Sequence, residues 1–274
     1  MDILKTDSGS QYKIQSLSDD WETPVEMLLS RILTSETQKF SGLGVGELAE
    51  SLVSGGWMRD DVVSAYVKLL AGTCNEIPAS RRKVAVLPME FFEALDAEKV
   101  HGKLQMESVL GGTSPHELLS MQRLIVPIFL VAERHYVLVV VQPPVKQICL
   151  LDTDRTTRST RDHGMSQPHT KVANWVKATI GRESWDGWVT VVRNDAPQQP
   201  IAGDCGPAML FLARLSMVST TPTTTSDELV QGKAFGEQIE RFRKRIAAEL
   251  LAEKLNPDSG DAQKLLIATS NFFD

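Results

Sequence analysis

Cysteine is scarce in this sequence, and its three copies lie far apart. Cys74, Cys149 and Cys205 are odd in number and form no CxxC pair. This spacing argues against a disulfide scaffold and a thiolate-rich zinc site, because both need several cysteines at close or paired spacings. Unpaired thiols are typical of a reducing compartment, so the chain is expected to work inside a cell.

The chain also lacks a surplus of positive charge and any long apolar run. Its net charge of −6 argues against a general nucleic-acid binder, which carries a basic surplus. Residues 124–131 form the longest apolar run, far short of the ~20 residues that cross a bilayer. Residues 1–7 lack the features of a signal peptide. We therefore predict a soluble monomer without nucleic-acid or membrane partners, acting in the nucleus, the cytoplasm or both. A protein delivered into a host cell stays an open alternative.

The local patterns are typical of one α+β domain. A chain of 274 residues forms one large domain or two small ones. We predict a single domain over residues 21–255, between a flexible N-terminal segment (1–20) and a C-terminal tail (256–274). Polar loops are predicted at 153–167 and 220–225. Apolar spacing and capping residues predict helices at 23–33, 46–53, 57–70, 89–100, 115–117, 172–180, 208–215 and 235–255.

From residue 123 onward the apolar period changes from helical to extended. Residues 123–131, 136–142 and 147–151 are β-rich runs of strand length, joined by connections short enough for antiparallel pairing. They predict a meander at the centre of the main sheet. Shorter strands are predicted at 84–87 and 188–192.

The last predicted helix carries a basic cluster. Its members are Arg241, Arg243, Lys244 and Arg245. Since the chain as a whole is acidic, this cluster is interpreted as a solvated helix face rather than as a nucleic-acid site.

Cys205 lies where a turn-rich stretch runs into an apolar helix. Gly203 and Asp204 are turn formers, and Pro207 suits the first turn of a helix. The helix dipole places partial positive charge near Cys205, which stabilises the thiolate that a nucleophile requires. Taken alone, a single cysteine is more often a buried core thiol, so other residues must decide.

A nucleophilic cysteine needs a base, a group that orients the base, and donors for the oxyanion. Of five histidines, only His135 flanks a predicted core strand at a tight turn. Asp152 ends the strand expected to pair with the strand that His135 enters, so the two can meet and fix the imidazole tautomer. Singly, His135 also fits a satisfied turn residue and Asp152 a strand-end cap. Together with Cys205 they favour a catalytic triad.

Four segments, in chain order, resemble the ubiquitin-like-modifier proteases, the papain-related family that processes and removes SUMO and its relatives. The likeness covers roughly residues 40–250, and four motifs in the right order are hard to obtain by chance. The family motifs are a Trp-Leu-Asn-Asp helix start, a strand followed by His-Trp-x-Leu, a strand-end Asp-Ser, and Gln-x5-Cys-Gly. The matching segments are 57–66 (WMRDDVVSAY), 127–138 (PI followed by HYVL), 150–153 (LLDT) and 199–206 (QPIAGDCG).

The resemblance implies a papain-like α+β fold, with a mixed central sheet flanked by helices, and a role for each matched residue. Cys205 would be the nucleophile, His135 the general base, and Asp152 the group that orients it. The Gln199 amide and the Cys205 backbone N–H would form the oxyanion hole. The implied reaction is thiol hydrolysis of a peptide or isopeptide bond after Gly-Gly of a modifier, without cofactor or metal.

The resemblance also implies a substrate channel. Trp57 and Tyr136 would close over the Gly-Gly tail, because only glycine is slim enough to pass between two aromatic rings, and Asp60 belongs to the same substrate-binding segment. The chain departs from the family at three places. Tyr136 replaces a Trp, Met-Arg replaces Leu-Asn at residues 58–59, and Pro207 follows the Cys-Gly.

Several alternatives stay open at this stage. SUMO is the favoured modifier, with ubiquitin or the Rub/Nedd type as alternatives, for maturation, deconjugation or both. YopJ-like acetyltransferases resemble the same fold, but they use Glu at the position of Asp152 and lack the Trp57 helix. A module that binds a modifier without cleaving it is the non-enzymatic alternative.

Overall fold

The structure, a computed structural model, describes most of the central part of the chain. The described residues are 2–5, 11–14, 39–40, 43–44, 51, 56–76, 83–101, 103–154, 167–194, 196–218 and 233–252. Several predicted segments lie wholly or largely outside these residues, so nothing is concluded about them. They are the helices at 23–33 and 46–53, the loops at 153–167 and 220–225, and the tail at 256–274.

Two short antiparallel ribbons precede the main sheet. Strand β1 (Asp2–Lys5) pairs with β2 (Gln11–Ile14), and β3 (Lys39–Phe40) pairs with β4 (Leu43–Gly44). The flexibility predicted for residues 1–20 is not tested by these pairings and stays a prediction.

The main sheet has five strands in the order β5-β6-β7-β8-β9. The three central strands pair antiparallel, so the predicted meander is confirmed. The outer strands β5 and β9 run parallel to their neighbours, which makes the sheet mixed. The strands are β5 (Val84–Val86), β6 (Arg123–Leu130), β7 (His135–Gln142), β8 (Gln147–Leu151) and β9 (Val189–Arg193).

Helices cover both faces of this sheet, and each helix predicted within the described residues is present. The helix predicted at 208–215 is longer at both ends, because it already begins at the cysteine. Short 3₁₀ turns lie at Pro143–Val145, Glu183–Trp185 and Ala202–Asp204. The α-helices are α1 (Asp60–Glu76), α2 (Glu90–His101), α3 (Lys103–Val109), α4 (Pro115–Leu119), α5 (Pro168–Ile180), α6 (Cys205–Val218) and α7 (Lys233–Ala252).

The sheet separates two apolar cores, as the two-residue period of a strand requires. On β7, Leu138 and Val140 belong to the core beneath α1, α6 and α7. Val137 and Val139 face the other core, beneath α2, α4 and α5. Each fully buried Val or Leu contributes about 1.5–3 kcal/mol. Since α6 packs on the sheet, on α1 and on α7, its apolar surface is buried as predicted.

The interpretation of residues 241–245 as a solvated face is wrong for two of its members. Arg243 is only 1% exposed, and Arg245 is buried with its Nε 2.8 Å from Glu249 Oε1. Only Arg241 of the three arginines is exposed. A helical pattern of charges does not reveal this difference, because the acidic partner of Arg243 lies on another element.

Glu249 joins α7 to the two helices beside it. Its carboxylate accepts hydrogen bonds from the Tyr66 hydroxyl at 2.6 Å and from the Arg214 guanidinium. Burial alone would raise the pKa of Glu249, but the charges of Arg214 and Arg245 hold that pKa below its ordinary value. The last helix is therefore fixed to α1 and α6 by a buried charged network. Among the described residues, no helix is both long and apolar enough to cross a membrane.

Candidate active site

Cys205 is the first residue of α6 and follows directly on the 3₁₀ turn at Ala202–Asp204. Its side chain is buried against the α1 side of the sheet. The next residue, Gly206, lies against both the sheet and α1. A methyl group there would be in van der Waals contact with Val63 Cγ2 at 3.4 Å and with Tyr136 Cδ2 at 3.5 Å. The positive end of α6 therefore lies directly against the sheet and α1.

His135 and Asp152 meet at one edge of the sheet because β7 begins where the antiparallel β8 ends. Leu138 pairs with Leu151, the residue before Asp152. His135 Nε2 lies 2.8 Å from Asp152 Oδ1, and both side chains are buried. The same Oδ1 also accepts the Asp154 backbone N–H at 3.0 Å. The carboxylate is therefore fixed from two sides, and it fixes the imidazole in turn.

The environment of His135 favours its protonated form. Burial lowers the pKa of this imidazole, but the hydrogen bonds to Asp152 and Cys205 and their charges outweigh burial. Together they raise the pKa from 6.5 to about 9. Since Asp152 occupies Nε2, Nδ1 is the ring nitrogen that is left for Cys205. At neutral pH His135 is therefore an imidazolium, and it lies beside the Cys205 sulfur.

Gln199 lies in the loop before Cys205 and is tied to the end of β8. Its backbone N–H donates to Thr153 O at 2.8 Å. Its side-chain Oε1 accepts the Thr153 hydroxyl at 2.7 Å, and its Nε2 donates to Ala202 O at 3.3 Å. The structure therefore brings Gln199 to the same sheet edge as His135 and Asp152.

The three predicted substrate-binding residues lie in two different settings. Trp57 is 49% exposed, and the Arg134 guanidinium carbon lies 5.7 Å from its ring centroid. Tyr136 is only 2% exposed, packs on Phe129 at 4.7 Å between ring centroids, and donates its hydroxyl to Asp60. Burial, then the bond to Asp60, raises the pKa of Tyr136 well above its ordinary value, so the hydroxyl stays neutral. The Trp57 ring is therefore half exposed, whereas the Tyr136 ring is enclosed and held in place.

Arg243 is the main site residue that sequence reasoning missed. Its Nη2 lies 2.8 Å from Asp204 Oδ1, and it also donates to the Gly203 and Gly56 carbonyls at 2.9 and 2.7 Å. One buried guanidinium thus joins the two residues before Cys205 to the residue before Trp57. The only signal in the sequence is the basic cluster at residues 241–245, which is typical of a solvent-exposed helix face.

The model of the Ulp1 protease family, C-terminal catalytic domain, matches residues 56–256. A comparison with curated protein sequences finds no match.

Solved structures of Ulp1-type proteases are similar to this fold. The Ulp1-like SUMO protease catalytic domain of Chaetomium thermophilum is 21% identical, with a TM-score of 0.64 over 89% of this chain and 93% of that chain. The yeast Ulp1 C-terminal protease domain in complex with SMT3, the yeast orthologue of SUMO, is 16% identical, with a TM-score of 0.60 over 89% and 100%. Ulp1 with its catalytic cysteine oxidised to a sulfinic acid is 15% identical, with a TM-score of 0.59 over 89% and 99%.

The fold and the family of the chain both follow from these matches. At such identities the structural likeness shows the fold, so the predicted papain-related α+β fold is confirmed. The family match spans well over half of the chain and contains the sheet, α1 and α6. The chain therefore belongs to the Ulp1 protease family, a family of cysteine proteases, and carries its C-terminal catalytic domain.

Proposed function

We propose that this protease cleaves the peptide or isopeptide bond after the C-terminal Gly-Gly of a ubiquitin-like modifier, with SUMO as the favoured modifier. The observation that carries the proposal is the contact of His135 with both Asp152 and Cys205, at the first turn of an apolar helix. The choice of SUMO is supported by the Chaetomium and yeast proteins of similar fold, which are SUMO proteases.

In the first half of the reaction, the Cys205 thiolate attacks the carbonyl carbon of the terminal glycine. The carbonyl electron pair moves to oxygen, where the Gln199 amide and the Cys205 backbone N–H stabilise the negative charge. The C–N bond then breaks, and the His135 imidazolium gives its proton to the leaving amine. The modifier is left as a thioester on Cys205.

In the second half, neutral His135 takes a proton from water as the water oxygen attacks the thioester carbon. The C–S bond breaks, which restores the Cys205 thiolate and the His135 imidazolium and releases the modifier with a free C-terminus. Asp152 holds the imidazole in the tautomer that presents Nδ1 to the thiol throughout. Each step uses only groups that meet at this edge of the sheet.

Substrate selection rests on Trp57 and Tyr136. The exposed Trp57 ring is proposed to cover the Gly-Gly tail, while the buried Tyr136 ring, anchored by Asp60, forms the opposite wall. Side chains larger than hydrogen would not fit between two such rings. The reaction needs a reduced thiol, which supports action in the nucleus or the cytoplasm.

A panel of modifier probes tests the proposal directly. The full chain is incubated with SUMO, Rub/Nedd-type and ubiquitin probes that carry a thiol-reactive C-terminus. We expect SUMO to label Cys205 and a SUMO–fluorophore substrate to be turned over, with no turnover by Cys205→Ala. Labelling by ubiquitin or the Rub/Nedd type alone would reassign the modifier. A stable acetyl group on Cys205 after incubation with acetyl-CoA, without modifier cleavage, would contradict proteolysis.

A further inference from the structure

We propose that Thr153 is a positioning residue that fixes the orientation of the Gln199 side-chain amide, so that its N–H groups face the oxyanion. The inference rests on the proposed function, in which Gln199 supplies an oxyanion donor. A glutamine amide has two nearly isosteric orientations, and only one of them presents nitrogen to the reacting oxygen. A site that uses such an amide therefore needs neighbours that distinguish its oxygen from its nitrogen.

The Ala202 carbonyl makes this distinction, and the Thr153 hydroxyl supplies a donor for the oxygen end of the amide. The Thr153 hydroxyl donates to Gln199 Oε1 at 2.7 Å, and the Ala202 carbonyl accepts from Gln199 Nε2 at 3.3 Å. A carbonyl only accepts hydrogen bonds, so reversing the amide would place two oxygens against each other at Ala202. One of the two hydrogens on Nε2 is donated to the Ala202 carbonyl, and the other is left to be donated to the oxyanion. With Thr153 donating to the opposite end, the catalytically useful orientation is the one that satisfies both neighbours.

Burial holds the Thr153 hydroxyl in place. Thr153 is only 2% exposed, so its hydroxyl is directed to Gln199 Oε1 rather than to bulk water. The backbone is held as well, because Gln199 N–H donates to Thr153 O at 2.8 Å and Gln198 Nε2 to Asp152 O at 3.2 Å. Side chain and main chain thus place the Gln199 loop against the end of β8.

Thr153 directly follows Asp152, so two successive residues at the strand end position two different groups. Asp152 orients the imidazole of His135 at 2.8 Å, and the following residue orients the amide of Gln199. The Asp154 backbone N–H donates a hydrogen bond to Asp152 Oδ1, which closes a tight turn over residues 152–154. One short turn at the strand end therefore positions both the base and the oxyanion donor.

The test compares Thr153→Val, which removes the hydroxyl and keeps the shape, with Thr153→Ser, which keeps the hydroxyl. Loss of an oxyanion donor lowers kcat by about 10²–10³-fold, and a misdirected donor is expected to lower kcat by less than that. We expect Thr153→Val to lower kcat by about 10- to 100-fold with KM unchanged, and Thr153→Ser to keep most of the activity. Thr179→Val is the matched control, since that hydroxyl bonds only within α5, to Trp175 O.

A double-variant cycle separates positioning from mere structural support. In a Gln199→Ala background there is no amide to orient, so Thr153→Val should lower kcat by less than about 2-fold more. An equal loss of kcat in both backgrounds, or full activity of Thr153→Val, would overturn the inference. If the wild-type chain itself turns over no modifier substrate, the proposed function fails instead, and the two failures are distinguishable.

Discussion

Arg243, on the last helix, contacts the carboxylate of Asp204, the residue directly before Cys205, at 2.8 Å. Both side chains are buried, and the pair is separated by 39 residues of sequence. The same guanidinium donates to the carbonyls of Gly203 and Gly56, so the positions of the turn before Cys205 and of the residue before Trp57 depend on α7.

Replacing Arg243 by Met should destabilise the fold strongly. The change leaves Asp204 buried without its cation, and breaking a buried ion pair from one side costs about 3–5 kcal/mol. Arg241→Met is the matched control, because Arg241 lies on the same helix and is exposed. Urea unfolding of both variants measures the difference. Equal free energies of unfolding would show that the Arg243–Asp204 contact is unimportant for stability.

The alkaline limb of the pH–rate profile should report the titration of His135. Its pKa is raised from 6.5 to about 9, so in the folded protein the ring is protonated at neutral pH and loses its proton as the pH rises through 9. The stability that this proton contributes is full below pH 6.5 and is lost as the pH rises through 9, because the folded pKa exceeds the unfolded pKa. We expect kcat/KM to fall through about pH 9.

The Asp152→Asn variant tests the cause of this pKa. Without the carboxylate, burial lowers the pKa of His135, and the alkaline limb should move to lower pH by about 1–3 units. Asp154→Asn is the control, because Asp154 is not among the groups that shift His135. An unchanged limb in Asp152→Asn would mean that another group titrates there.

Gly236→Ala should lower activity although alanine favours helices. A methyl group at Gly236 would lie 2.8 Å from Pro200 Cγ, so the loop that carries Gln199 must shift. The clash opposes the helix-propensity gain of up to about 1 kcal/mol. We expect kcat to fall about 10-fold or more, as misdirection of an oxyanion donor implies. Gly72→Ala, with nothing within 4 Å, should gain stability and keep kcat. Equal kcat values for the two variants would contradict a coupling between Gly236 and the loop that carries Gln199.

Tyr136→Trp, which restores the residue that the family motif carries, should destabilise this protein. The Tyr136 ring is enclosed by Phe129 and the backbone at Gly206, and overpacking such a site costs about 1–3 kcal/mol. Tyr136→Phe loses only the bond to Asp60, worth about 1.5 kcal/mol. Thermal unfolding of the two variants is the measurement. A Tyr136→Trp variant more stable than wild type would show that the site has room for the larger ring.

Trp57→Ala should impair substrate use far more than stability. The ring is half exposed, so its removal leaves no cavity, but a central aromatic contact is commonly worth about 2 kcal/mol or more. We expect kcat/KM for a modifier substrate to fall at least ~30-fold. Trp185→Ala is the control, since Trp185 stacks on Trp188 in the other core. Equal kcat/KM values for Trp57→Ala and Trp185→Ala would show that Trp57 does not contribute to substrate binding.

The sheet and its helices could be predicted from the sequence because their signals are local. The change from a helical period to β-rich runs of strand length at residue 123 predicts β6, β7 and β8 within one residue at their ends. Adjacent antiparallel strands then brought His135 and Asp152 to one edge. Cys205 could be assigned to a helix start for the same reason, because turn formers directly precede it and an apolar run follows.

The contacts that local patterns could not predict join residues far apart in the chain. Tyr136 and Asp60 are separated by 76 residues, and Arg243 and Asp204 by 39. Arg241 and Arg243 belong to the same charged run, yet only the tertiary packing makes one exposed and the other buried. Thr153 belongs to the matched strand-end segment, but that motif assigns it no role, because its partner Gln199 lies 46 residues further along the chain.

The late position of Arg243 in the chain has a consequence for biosynthesis. The residues proposed as nucleophile, base and oxyanion donor all leave the ribosome before Arg243, which contacts the loop that precedes Cys205. We expect a nascent chain that ends before α7 to be catalytically silent, even though it contains each group that the chemistry needs. Proteolytic activity then begins only when translation of the domain is almost complete.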